Sequence, residues 1–94
     1  MNLIYTNYIT NYKDLEAEIE FLIMEELIPY KYISLEIVFY IKNEEPKILH
    51  VNSFSTFNYY LLYKTFSALD FLENLHEIQK EDIQGILINL YIIG

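Results

Sequence analysis

Any chemistry in this chain would have to come from two histidines, His50 and His76, and from fourteen carboxylates. There is no cysteine to serve as nucleophile, thiolate metal ligand or disulfide partner. Nucleophilic catalysis needs a hydroxyl beside a base that a third group orients, and neither histidine sits in a motif such as Gly-x-Ser-x-Gly. The pattern around His50 reads as a half-exposed sheet histidine. His76 falls near the end of a helix, where a cation suits the negative helix terminus. Two histidines alone do not define a metal site. Glu16 and Glu20 stand four apart on one helix and could share a cation, but no Glu-x-x-His accompanies them, and a solvated helix face accounts for the pair. No Asp-x-Asp-x-Asp-Gly run offers a calcium loop. With glycine only at Gly85 and Gly94, neither a phosphate loop nor a dinucleotide turn can be built. We therefore expect no catalytic, cofactor or metal site and no small-molecule ligand.

The elements that position these residues follow from hydrophobic periodicity. Met1 to Ile9 is β-prone and alternates loosely, with Leu3, Tyr5 and Asn7 on one side and Ile4, Thr6 and Tyr8 on the other. Thr10 or Asn11 can cap a helix from Tyr12 to about Ile28, which Pro29 ends. Leu15, Ile19, Leu22 and Ile23 form one face of that helix, and Ala17, Phe21, Met24 and Ile28 gather on a second. The narrow acidic line of Asp14, Glu18 and Glu25 separates the two. Ile33 to Ile41 alternates strictly, the mark of a strand buried on one side, and Asn43-Glu44-Glu45-Pro46 has turn chemistry that leads into a second strand from Lys47. Ser53 to Thr56 supplies caps for a helix from about Phe57 to His76, whose inward stripe is Leu61, Leu62, Thr65, Leu69 and Leu72. Ile83 to Ile93 is apolar on both sides, as a central or interface strand should be.

This order predicts one α+β domain over residues 1–94, a small antiparallel sheet with two helices on one face. A ferredoxin-like βαββαβ arrangement satisfies it, and αββαβ remains if the first segment is not a strand. The apolar end Ile92-Ile93-Gly94 is expected to be tucked into the sheet of a complete chain rather than to mark a fragment.

Composition narrows the partners. At 53% hydrophobic residues the 94-residue chain carries enough apolar surface to fold, and two glycines and two prolines leave little room for linkers. Fourteen acids against six lysines and no arginine give a net charge of −8, which opposes direct binding to nucleic acid or anionic lipid. The arginine deficit, with abundant Ile, Asn, Lys and Tyr, also follows from an AT-rich genome. The texture resembles that of proteins from AT-rich phages and organellar plasmids; the likeness is one of composition, and no residue role is carried over from it. No apolar run reaches the roughly 20 residues that span a bilayer, and the N-terminus lacks the features of a signal peptide, so an intracellular protein is expected.

Two functional expectations result. The first is a non-catalytic protein-binding domain, an accessory subunit or homo-oligomer, acting through surplus apolar surface at Phe21, Met24, Ile28, Tyr59, Tyr63 and Tyr91. The second is an acidic mimic of nucleic acid, of the kind phages use against host defences, presenting Asp14, Glu16, Glu18, Glu20 and Glu25 to a basic groove. Tyr40 and Tyr91 would sit where RNA-binding sheets carry stacking rings, but the basic, glycine-containing signature of those sheets is missing.

Overall fold

The alternation of Ile33–Ile41 becomes strand β2, whose odd-numbered residues Ile33, Leu35, Ile37, Phe39 and Ile41 are all buried. The other side is not simply exposed as the alternation predicts, since Ser34 and Val38 are covered by their neighbours and Tyr40 alone is exposed there. The computed structural model describes residues 2–22, 33–53, 58–74 and 79–92, with the backbone alone at Ser53 and 58–62. After β2 the chain reverses at Asn43, whose φ of 61° lies in the left-handed region that asparagine tolerates. It returns as β3, Lys47–Ser53, antiparallel to β2 from Ile33 opposite Ser53 to Phe39 opposite Lys47.

The N-terminal segment is strand β1, Asn2–Ile9, and the last is β4, Ile83–Ile92, so all four strands of the βαββαβ order are present. The αββαβ alternative therefore falls away. β4 pairs antiparallel with both β1 and β2, and the sheet runs β1-β4-β2-β3. This differs from the ferredoxin-like arrangement, which places the first and third strands at the centre. Composition supplies the reason. β4 is apolar on both sides and suits the interior of a sheet, whereas β3 carries Lys47, His50 and an exposed Ile48, and β1 carries Asn2, Thr6 and Asn7. Each helix-linked pair is consequently parallel and skips one strand, β4 lying between β1 and β2, and β2 between β3 and β4.

Both helices cover the same side. Asn11 accepts a hydrogen bond from the Lys13 backbone N–H at 3.1 Å and opens a 3₁₀ turn, Tyr12–Asp14, that passes into α1, Leu15–Phe21. Leu15, Ile19 and Leu22 are buried from this segment; each such side chain stabilises by about 1.5–3 kcal/mol. α2, Asn58–Asn74, adds Thr65 and Leu69, with Phe66, Ala68 and Leu72 at the margin. These join the inward residues of β2 and Ile86, Ile88 and Leu90 of β4 in one core. Expected contributions from Ile23, Leu61 and Leu62 lie outside the described residues and side chains. Among the described residues no helix is long and apolar enough to cross a membrane.

Candidate functional site

With the helices on one side, the even-numbered positions of β2 and their neighbours form the other face. Strand register arranges them in rows. The middle row crosses all four strands: Thr6 of β1 lies opposite Asn89 of β4, Asn89 opposite Glu36 of β2, and Glu36 opposite His50 of β3. Their side chains connect in that order. The Thr6 hydroxyl donates to the Asn89 amide oxygen at 2.6 Å, the Asn89 amide nitrogen donates to Glu36 Oε1 at 2.9 Å, and His50 Nε2 lies 3.6 Å from Glu36 Oε2. Asn89 is 8% exposed, so its two partners satisfy a nearly buried amide. The Thr6 hydroxyl and the His50 ring sit at opposite edges, so the row is not a nucleophile beside a base.

One apolar row and one mixed row flank this polar one. On one side Tyr8, Leu87, Val38 and Ile48 stand in register; on the other are Leu3, Tyr91, Ser34 and Asn52. Ile48, Tyr8 and Leu3 are 57%, 52% and 52% exposed, large values for apolar and aromatic side chains. Leu3 reaches this face because a bulge between Leu3 and Tyr5 shifts the alternation of β1. Tyr5 and Ile4 then both pack against the core, although their spacing predicts opposite sides. Beyond Tyr8, Gly85 is the site of a close approach: the Tyr8 hydroxyl and ring end occupy the space that a Cβ there would need. Tyr8 thereby lies across β4 toward Tyr40, with ring centroids 6.3 Å apart.

Charge is nearly absent from this face. Among the described acids only Glu36 falls within a strand. On the helical side the described carboxylates include some that are already engaged. Glu18 accepts from the Tyr5 hydroxyl and, at 2.8 Å, from the Asn7 amide, so the acidic line expected through Asp14 and Glu18 is broken by a carboxylate turned toward the sheet. Asp14, Glu16 and Glu20 are exposed, and Glu25 lies outside the described residues.

A concavity of about 840 Å³ opens at one end of the helical layer around Tyr12. The Tyr12 ring stacks on Phe39, its hydroxyl donates to Glu73, and Lys80 Nζ lies 5.0 Å from the ring centroid and 3.3 Å from Glu73 Oε1. Burial, then the Glu73 carboxylate, pushes the Tyr12 hydroxyl well above its ordinary range, so it remains a donor. Tyr12, Glu73 and Lys80 thus fasten the 3₁₀ turn, α2 and the approach to β4 together. The polar groups at the centre of this cleft are partners of one another.

The expected interface residues are dispersed. Phe21 on α1 and Tyr63 on α2 are exposed, at 51% and 71%, each on a helix whose neighbouring positions carry Glu20 or Lys64. Tyr91 is half-buried on the open sheet face, opposite Ser34 and Leu3. Met24, Ile28 and the Tyr59 side chain are outside the description, as is His76. Tyr40 and His50 occupy the outward sheet positions that alternation predicts. Thr6 and Asn89 were not anticipated: they stand 83 residues apart, and only the register joins them. The signal available was a polar residue at an outward position in each strand. Among the described residues no group of three or more His, Asp or Glu side chains could hold a metal ion. No protein-family model, no curated protein and no solved structure matches the chain.

Proposed function

We propose that this chain is a non-catalytic protein-binding domain, an accessory subunit or self-associating module, and that it binds through the open face of its sheet. The observation that carries the reading is the contrast on that face. Leu3, Tyr8, Tyr40 and Ile48 are exposed around a satisfied polar row, and in a chain of net charge −8 Glu36 is the one described carboxylate within a strand. An apolar surface with a few fixed polar groups is the composition of a protein interface core. Exposed aromatics singly placed on helices need no partner, which favours the sheet over Phe21 and Tyr63. Nucleic acid is the poorer occupant, since the face offers Glu36 where a phosphate backbone needs cations.

A photoreactive benzoylphenylalanine placed at Ile48 or Tyr40 tests this in cells. Protein adducts at those positions, and none at Glu44 in the hairpin turn, support the sheet face. Adducts confined to Phe21 or Tyr63 would move the interface to the helices and overturn the reading. A second reading, the acidic mimic, draws support from the exposed Asp14, Glu16 and Glu20 on the helical side. It predicts adducts to a basic protein from those positions, lost at high salt.

A further inference from the structure

We infer that the outer edge of β1 takes an extended, basic segment of the partner protein, which adds a fifth strand to the sheet through backbone hydrogen bonds. This rests on the reading of the chain as a protein-binding domain and names the part of the partner that it holds. Among the described residues no strand pairs with that edge, so alternate residues of β1 turn N–H and C=O groups outward. A row of such groups is complementary to one kind of ligand, another extended backbone.

The two edges of the sheet are unlike. β3 begins with Lys47, and Lys64 of α2 donates to its Asn52 carbonyl at 2.8 Å, so a cation guards that edge and a side chain already takes one of its backbone acceptors. β1 carries neither a charged residue nor a proline, the usual means of blocking an edge. Beyond its bulge, Thr6 to Ile9 pair regularly with Asn89 to Ile86 and keep the geometry that a further strand needs. Exposure follows the same division between inner and outer strands. Val38, with a strand on either side, is 8% exposed on the open face, whereas Leu3 and Tyr8 on β1 are 52% exposed. A strand beside β1 would cover them as β4 and β3 cover Val38.

Charge sets the chemistry of the segment. Glu16 borders the cleft between α1 and α2, so the opposite flank of α1, with Asp14, Glu18 and Phe21, looks outward past β1. Both hydrogen bonds that Glu18 accepts from β1 fall on Oε1. A carboxylate accepts at two oxygens, which leaves Oε2 for a lysine or arginine level with Asn7. Asp14 is exposed one turn away, and Phe21 is 51% exposed on the same flank, where the aliphatic stem of that cation can lie. On the other side of the added strand, a residue level with Tyr8 would extend the apolar row of Tyr8, Leu87, Val38 and Ile48. The segment is therefore alternating, apolar toward the open face and basic toward α1, and its charge complements a chain of −8.

The probe is a phage-displayed library of random peptides of roughly nine residues, selected on the immobilised full chain. Selected sequences should alternate apolar residues with lysine or arginine. A synthetic peptide of that sequence should shift the Thr6, Asn7 and Tyr8 amide resonances and give intermolecular nuclear Overhauser effects between its backbone and that of β1. Glu18→Gln, which keeps an acceptor for Tyr5 and Asn7, should weaken its binding about two- to fivefold at low salt and less at high salt, while Glu44→Gln in the hairpin turn leaves it unchanged. Peptides that shift β3 or the Tyr12 cleft instead, sequences with no alternation or no basic residues, or no selection above an unrelated protein would overturn the β1 edge as the site. Photo-adducts at Ile48, on the far edge of the sheet, would in each of those cases still uphold the open face as an interface. Peptide bound at β1 with no adducts at Ile48 would uphold the edge and count against the face.

Discussion

On its helical side the sheet presents Leu35, Ile37, Phe39, Ile86, Ile88 and Leu90, none of them accessible to solvent; one residue along the same strands, the other side presents Glu36, Tyr40, Leu87 and Asn89. The first set is uniformly apolar and covered by α1 and α2. The second sets an apolar row and a mixed row on either side of a polar row whose groups satisfy one another. Leu3, Tyr8 and Ile48 on that side are half exposed. The difference teaches that one period-two pattern can encode a core on one side and, on the other, a surface that mixes exposed apolar side chains with a fixed polar row.

The largest expected effect breaks the helical side. Phe39→Ala removes a fully buried ring beneath Tyr12 and should cost about 3–5 kcal/mol in urea unfolding, whereas Ile48→Ala on the open face should stay within about 0.5 kcal/mol. Next, Asn89→Asp sets a second carboxylate against Glu36, where the amide now donates at 2.9 Å. About 2 kcal/mol of stability should be lost at neutral pH and partly regained on acidification, as one of the two carboxyls takes up a proton. A smaller loss, about 1 kcal/mol, is expected from Gly85→Ala, because the Tyr8 ring must leave its place beside Tyr40. In a Tyr8→Ala background that penalty should vanish, which a double-mutant cycle measures.

An effect of similar size concerns the Tyr12 clasp. Tyr12→Phe should cost about 1 kcal/mol by removing the hydroxyl that donates to Glu73. The folded chain holds this hydroxyl protonated above its unfolded range, so its contribution is complete below about pH 10 and declines as pH rises beyond that. The wild type should therefore lose stability in alkali more steeply than Tyr12→Phe, as thermal melts across that range would show.

Much of the framework was legible because it depends on local period. The alternation of Ile33–Ile41, the turn at Asn43 and the two-sided apolar β4 all state their roles within a few residues. The strand order was not, since it depends on which edges pair after the helices cross, and only the relative polarity of β1 and β3 hinted at their edge positions. The bulge that carries Leu3 to the open face breaks the very alternation from which a strand is read. The polar row was legible least of all: Thr6, Glu36, His50 and Asn89 come from four strands, and no spacing links them. Glu18 shows the same limit in reverse. Its helical position reads as solvated, but the side chain reaches Tyr5 and Asn7 on a strand that periodicity alone could not place beneath it.

The central claim, that another protein covers the open face, is tested most directly by hydroxyl-radical footprinting of the tyrosines in cells and in dilute purified protein. The account predicts that Tyr8 and Tyr40 are oxidised in dilute solution and protected in cells, while Tyr63 on α2 is oxidised equally in both. Equal oxidation of Tyr8 and Tyr40 in the two settings would contradict it.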